Sequence, residues 1–74
     1  MKLSQIVKTK IGLGVYQGRV DTHDAHGAPG DELALVRLPV NEETSRHLQD
    51  SNCVTPHAEK SALFVFHFSE VGEG

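Results

Sequence analysis

The sequence predicts a small α+β fold: a single domain over 1–74, with about three mainly antiparallel strands and one short helix. Three observations carry that expectation. Two segments, 32–39 and 62–69, are dense in Leu, Val and Phe, yet too short to be core helices. A third, 10–20, alternates apolar residues with glycines. Between the two apolar segments stands Asn41-Glu42-Glu43, an N-cap followed by acids where the helix dipole favours them.

Leu3, Ile6, Val7 and Ile11 recur at i, i+3, i+4 and i+8, the spacing of one helix face, and Ser4 is placed to cap a turn there. Against this, Ile11, Leu13 and Val15 alternate strictly with Gly12, Gly14 and Tyr16. The reading adopted is a strand over 10–20, with the first nine residues a helical turn or an extended lead-in. Glycines at 12, 14 and 18 thin that strand and point to a bulge or a close backbone approach. Residues 21–31 read as a loop, because Gly27, Pro29 and Gly30 are turn residues and no apolar period runs through them. The strand 32–39 ends at Pro39, and the helix 42–50 has one apolar anchor, Leu48. A second loop covers 51–61, with Pro56 inside it. The strand 62–69 follows, and 70–74 reads as a flexible tail.

Both strong strands are apolar on both faces, the pattern of strands covered on two sides. In 62–69, Phe64, Phe66 and Phe68 would share one face, and Leu63, Val65 and His67 the other. One short helix covers one side. The second side calls for the N-terminal segment, another subunit or a partner.

Charge is divided along the chain. Lys2, Lys8, Lys10 and Arg19 give the first twenty residues +4 with no acid, whereas the remainder sets three cations against ten acids, or −7. In so small a domain this split predicts a positive strip beside a negative body, a feature that governs encounter and partner choice. A domain this size buries only about 60% of its unfolded surface, so a partner or a dimer would add to its stability. The single cysteine, Cys53, rules out an internal disulfide and fits a reducing compartment. Met1-Lys2 is followed by polar residues instead of an apolar leader. The longest apolar run falls far short of the roughly 20 residues that cross a bilayer. A complete short cytoplasmic gene product with no membrane attachment is expected.

Candidate chemistry is sparse. Asp21-Thr-His23-Asp24-Ala-His26 is the one grouping with metal-ligand character: two imidazoles three apart with carboxylates beside them, which His57 or Asp31 would complete. The plainer reading is a solvated polar loop, and no cofactor is expected. His67 reads as a half-buried strand residue, and Cys53 has no cation beside it in sequence to activate its thiol. No nucleophile-elbow, phosphate-loop or zinc-ribbon spacing occurs. The glycines at 12, 14 and 18 are out of register with the dinucleotide fingerprint. Nucleic-acid binding is an alternative: Lys8, Lys10 and Arg19 flank Tyr16, and an aromatic among cations makes a stacking platform. A net charge of −3 argues against it. The scattered acids lend nucleic-acid mimicry no support from spacing.

The expectation is therefore a non-enzymatic interaction protein that binds a larger protein or complex and regulates or inhibits it. Lys2, Lys8, Lys10, Tyr16 and Arg19 are its candidate partner-binding residues, and a homodimer is a further option. Bacterial, plasmid and phage accessory factors acting on transcription, replication or defence machinery form the class such chains commonly belong to. The alternatives are the nucleic-acid module on the basic N-terminal strand and, more weakly, a metal site at His23, Asp24 and His26.

Overall fold

A computed structural model describes residues 2–23 and 29–73, with the side chains of 21–23 and 29–31 excepted. Its centre is one antiparallel sheet of five strands: β1 (Ile6–Lys8), β2 (Leu13–His23), β3 (Pro29–Pro39), β4 (Ser61–His67) and β5 (Gly72–Glu73). Their order across the sheet is β4-β3-β2-β1-β5. Helical structure amounts to one turn, α1 (Glu42–Ser45), and a 3-10 turn at Phe68–Glu70. The domain is mostly β, with two more strands than the three expected.

The first correction concerns the N-terminal residues: they form no helical turn, and the extended alternative holds at Ile6–Lys8, which is a paired strand and not only a lead-in. The chain reverses at Thr9–Gly12, where Thr9 N–H donates to the Gly12 carbonyl and Gly12 N–H returns the bond, at 2.9 and 3.2 Å. The Thr9 hydroxyl donates to the Gly12 carbonyl at 2.8 Å and accepts from the Ile11 and Gly12 N–H groups. A hydroxyl that closes its own turn gives the backbone an alternative to a helix. Val7 and Ile11 are buried while Leu3 and Ile6 remain exposed, so the apparent helical face is split in two.

Register explains the glycines. Val7 stands opposite Gly14, where a Cβ would lie 2.6 Å from Val36 Cγ1 and 2.7 Å from the Arg37 carbonyl oxygen. Only a residue without a side chain fits there. Gly18 sits at a register shift between β2 and β3 with φ of 135°, a bulge in the left-handed range. The expected bulge and close approach are therefore both present.

Further corrections follow from pairing. The expected loop 21–31 is shorter, because β2 runs to His23 and β3 begins at Pro29; residues 24–28 lie outside the described ones. The expected helix 42–50 stops after Ser45. Asn41 caps it as predicted, its side chain accepting from the Glu43 and Thr44 N–H groups at 2.9 and 3.0 Å. Thr44 is the one buried residue in it, so no apolar stripe carries the helix further. Beyond it, turns bring Leu48 onto the core. The expected tail 70–74 contributes β5, paired with Val7 and Lys8. Within the expected loop 51–61, Cys53 bridges to Phe64, Val54 N–H donates to the Leu63 carbonyl at 2.7 Å, and Val65 N–H to the Asn52 carbonyl at 2.9 Å.

Two substitutions test this fold by urea denaturation. Gly14→Ala is expected to cost about 3 kcal/mol, through overpacking against Val36 and the β3 backbone. Thr9→Val is expected to cost about 1–2 kcal/mol, since its turn N–H groups lose their hydroxyl acceptor. Wild-type midpoints for both would contradict the close approach of β3 to Gly14 and the hydroxyl-closed turn at Thr9.

Candidate functional site

Side chains alternate across a strand, so the sheet has two faces of opposite fate. The inner face carries Val7, Tyr16, Ala34, Val36, Leu38, Ala62, Phe64 and Phe66, all buried. Ile11 and Val71 are buried in the same core, and Val40, Leu48, Cys53, Ala58 and Phe68 pack against it. Phe64 and Phe66 hold the expected common face; Phe68 leaves the strand for the 3-10 turn and meets Tyr16 edge-on, with ring centroids 6.3 Å apart.

Among the described residues, the outer face has no second layer. Cross-strand partners share a face, so the register draws rows across it. Ile6 is opposite Val15, Val15 opposite Arg37 and Arg37 opposite Leu63. The Cys53–Phe64 bridge extends this row by placing Val54 beside Leu63. On one side of it lies Lys8 opposite Leu13, and on the other Gly18, Leu35 and Val65. Ile6, Leu13 and Val54 are 51%, 57% and 51% exposed, and Val15, Leu35, Leu63 and Val65 are half-buried. Of the three covers expected for the second face, the N-terminal segment is excluded, because β1 lies within the sheet between β2 and β5; another subunit and a partner are the covers left.

The outer face is also polar in one sign. Lys8 and Arg37 stand on it, and among the described residues neither makes an ion pair. Among the strand positions whose side chains are described, no carboxylate lies on the outer face. At its β3–β4 end, Arg37, Leu63 and Ser61 border an open hollow of about 520 Å³ whose other wall is the turn Thr55, Pro56, His57 and Ala58. That wall is fastened down: Leu63 N–H donates to the Thr55 hydroxyl at 2.8 Å, and Ala58 N–H to the Thr55 carbonyl at 3.1 Å.

The five candidate partner-binding residues do not assemble into one strip. Lys8 is on the outer face. Lys10 lies 3.9 Å from Glu70, and Arg19 3.3 Å from Glu32, so both are paired with acids. Lys2 is exposed at the chain start, its backbone N–H donating to Gln5 Oε1 at 2.9 Å. Tyr16 is 7% exposed on the inner face, which removes the aromatic from the proposed stacking platform and leaves it in the core. Of the metal candidates, Asp24 and His26 lie outside the described residues, and His23 is described by its backbone alone. Among the described residues, no three His, Cys, Asp or Glu side chains gather in a way that could hold a metal ion. No helix among them is long and apolar enough to cross a membrane. Arg37 was not singled out from sequence, although it has the same strand parity as Leu33 and Leu35, which would have marked it as a cation on an apolar face.

No protein-family model, curated protein or solved structure matches this chain.

If the outer face carries no part of the folding energy, its residues can be changed freely. The double variant Ile6→Ser with Leu13→Ser is expected to unfold within about 0.5 kcal/mol of wild type. Phe64→Ala on the inner face is expected to cost about 4 kcal/mol. Thermal and urea denaturation of the three proteins would check both.

Proposed function

We propose that this chain is a non-enzymatic interaction module that binds a larger protein or complex through the outer face of its sheet and regulates or inhibits it. The observation that carries this reading is the uncovered row Ile6–Val15–Arg37–Leu63–Val54 with Leu13, Leu35 and Val65 alongside. Contiguous apolar area with a few charges set in it is the composition of a docking surface, because a partner that covers it recovers the transfer free energy of each apolar side chain. A stable complex takes about 800 Å² from each partner, and one face of a small sheet is a surface of that order. Lys8 and Arg37 add direction, since cations that meet no acid among the described residues accelerate encounter with an acidic surface and repel a basic one. An accessory factor of the cytoplasm, acting on a transcription, replication or defence assembly, is the role we assign to such a module.

The test uses the tagged full chain and the Ile6→Ser, Leu13→Ser variant as parallel baits in lysate of the source organism. The protein retained by wild type alone is then purified, and its affinity for each bait measured by calorimetry. Loss of two apolar contacts is expected to weaken binding by about ten-fold or more. Separately, Lys8→Glu is expected to lower the association rate and flatten its dependence on salt, read by stopped flow. Equal affinity for both baits, with association indifferent to Lys8→Glu, would remove the outer face from the interface.

A further inference from the structure

We infer that the hollow beside Arg37 is a carboxylate subsite, which receives a Glu or Asp side chain carried on an apolar segment of the partner protein. This rests on the docking role proposed for the outer face and specifies what the partner presents to it.

The hollow combines one fixed cation with apolar walls. Leu63, Ala58 and Pro56 are the apolar residues that line it, and Arg37, Thr55, His57 and Ser61 the polar ones. A guanidinium offers a planar fork of N–H donors that matches a carboxylate in two parallel bonds. Among the described residues no acid of the chain itself takes that fork. A single guanidinium balances a single negative charge. A phosphate, with about two charges at neutral pH, would bring excess charge against Leu63 and Pro56, and the chemistry therefore favours a carboxylate. The far wall is held in place before any ligand arrives, since the Thr55 hydroxyl and carbonyl are engaged at 2.8 and 3.1 Å within the chain. A rigid wall spares the ligand the cost of ordering it.

The shape of the surroundings selects a protein segment over a free acid. Arg37 and Leu63 belong both to the hollow and to the outer-face row, so whatever fills the hollow runs on toward Val15 and Ile6. At about 520 Å³ the hollow also exceeds one carboxylate side chain and leaves room for its apolar neighbours. A second copy of this chain is disfavoured by symmetry. Two outer faces packed about a two-fold axis bring like charge toward like charge, and the described outer positions hold no carboxylate to offset it.

The test is a titration of the ¹⁵N-labelled full chain, followed by amide chemical shifts. Two peptides serve as probes, acetyl-Val-Leu-Glu-Val-Leu-amide and its Gln counterpart, with sodium isovalerate as a free carboxylate. The Glu peptide is expected to shift Arg37, Ala58, Ser61 and Leu63 saturably, and to bind about ten-fold tighter than the Gln peptide. Arg37→Gln is expected to abolish that preference and Arg37→Lys to restore part of it, since an ammonium pairs without a fork. Equal binding of the two peptides, or a preference that survives Arg37→Gln, overturns the subsite. Isovalerate binding as tightly as the Glu peptide overturns the assignment to a protein segment. Shifts at Ile6 and Leu13 that depend on protein concentration without any peptide point to a second copy, and overturn it too. Failure here is separable from failure of the docking role. If Arg37→Gln leaves affinity for the captured protein intact while Ile6→Ser with Leu13→Ser lowers it, the subsite falls and the outer face stands.

Discussion

Along β3 the even positions Ala34, Val36 and Leu38 are fully buried, while Leu33 and Leu35 between them are half-buried and Arg37 is exposed. The same alternation repeats in β4, where Ala62, Phe64 and Phe66 point inward. This one-sided burial is the constraint on which the molecule depends. A chain of 74 residues with nearly half its length in five strands has, among the described residues, the turns after β3 and the crossing from β4 to β5 as its main covering material. Both are used on the inner face: Leu48, Cys53 and Ala58 come from the first, Phe68 and Val71 from the second. Among the described residues nothing of comparable size is left for the other side, and the apolar residues there are held in place by strand geometry.

Charge follows the same division. Lys10 and Arg19 meet Glu70 and Glu32 across exposed pairs at 3.9 and 3.3 Å. Pairs of that kind contribute about 0–1 kcal/mol to stability; their larger consequence is to neutralise two of the N-terminal cations. Lys8 and Arg37 stay unbalanced on the outer face. The segregation written along the sequence, basic start against acidic remainder, is thus redistributed by folding into a segregation by face. The docking role proposed for this surface, which combines uncovered Leu, Val and Ile with Lys8 and Arg37, calls for a partner of mixed apolar and acidic character.

Much of this was legible in the sequence where the signal is local. The strands around Leu33–Leu38 and Ala62–Phe66 follow from apolar runs, and the cap at Asn41 from one amide followed by two acids. Gly14 and Gly18 announced a close approach and a bulge. What escaped was non-local. β1 and β5 are three and two residues long, too short to show a period, and they exist because they pair with each other and because the Thr9 turn sends the chain back along β2. The helical spacing of Leu3, Ile6, Val7 and Ile11 was a coincidence of two strand residues flanked by turns. Tyr16 read as a surface aromatic because of its cationic neighbours, whereas parity with Gly14 and pairing with Val36 place it inside. Arg37 was hidden by its company: within an apolar run a lone cation reads as an interruption, and only the register shows that it stands with Val15 and Leu63.

The claim that the outer face is the working surface is tested most directly by methyl cross-saturation in the complex with the captured partner. The partner's protons are irradiated, and the loss of signal is read at Leu, Val and Ile methyls of this chain. Strong loss is predicted at Ile6, Leu13, Val15, Leu35, Leu63 and Val65, with Val7, Val36 and Leu38 unaffected. Loss confined to residues away from the sheet, such as Leu48 or Val71, with the outer methyls unchanged, would contradict the account.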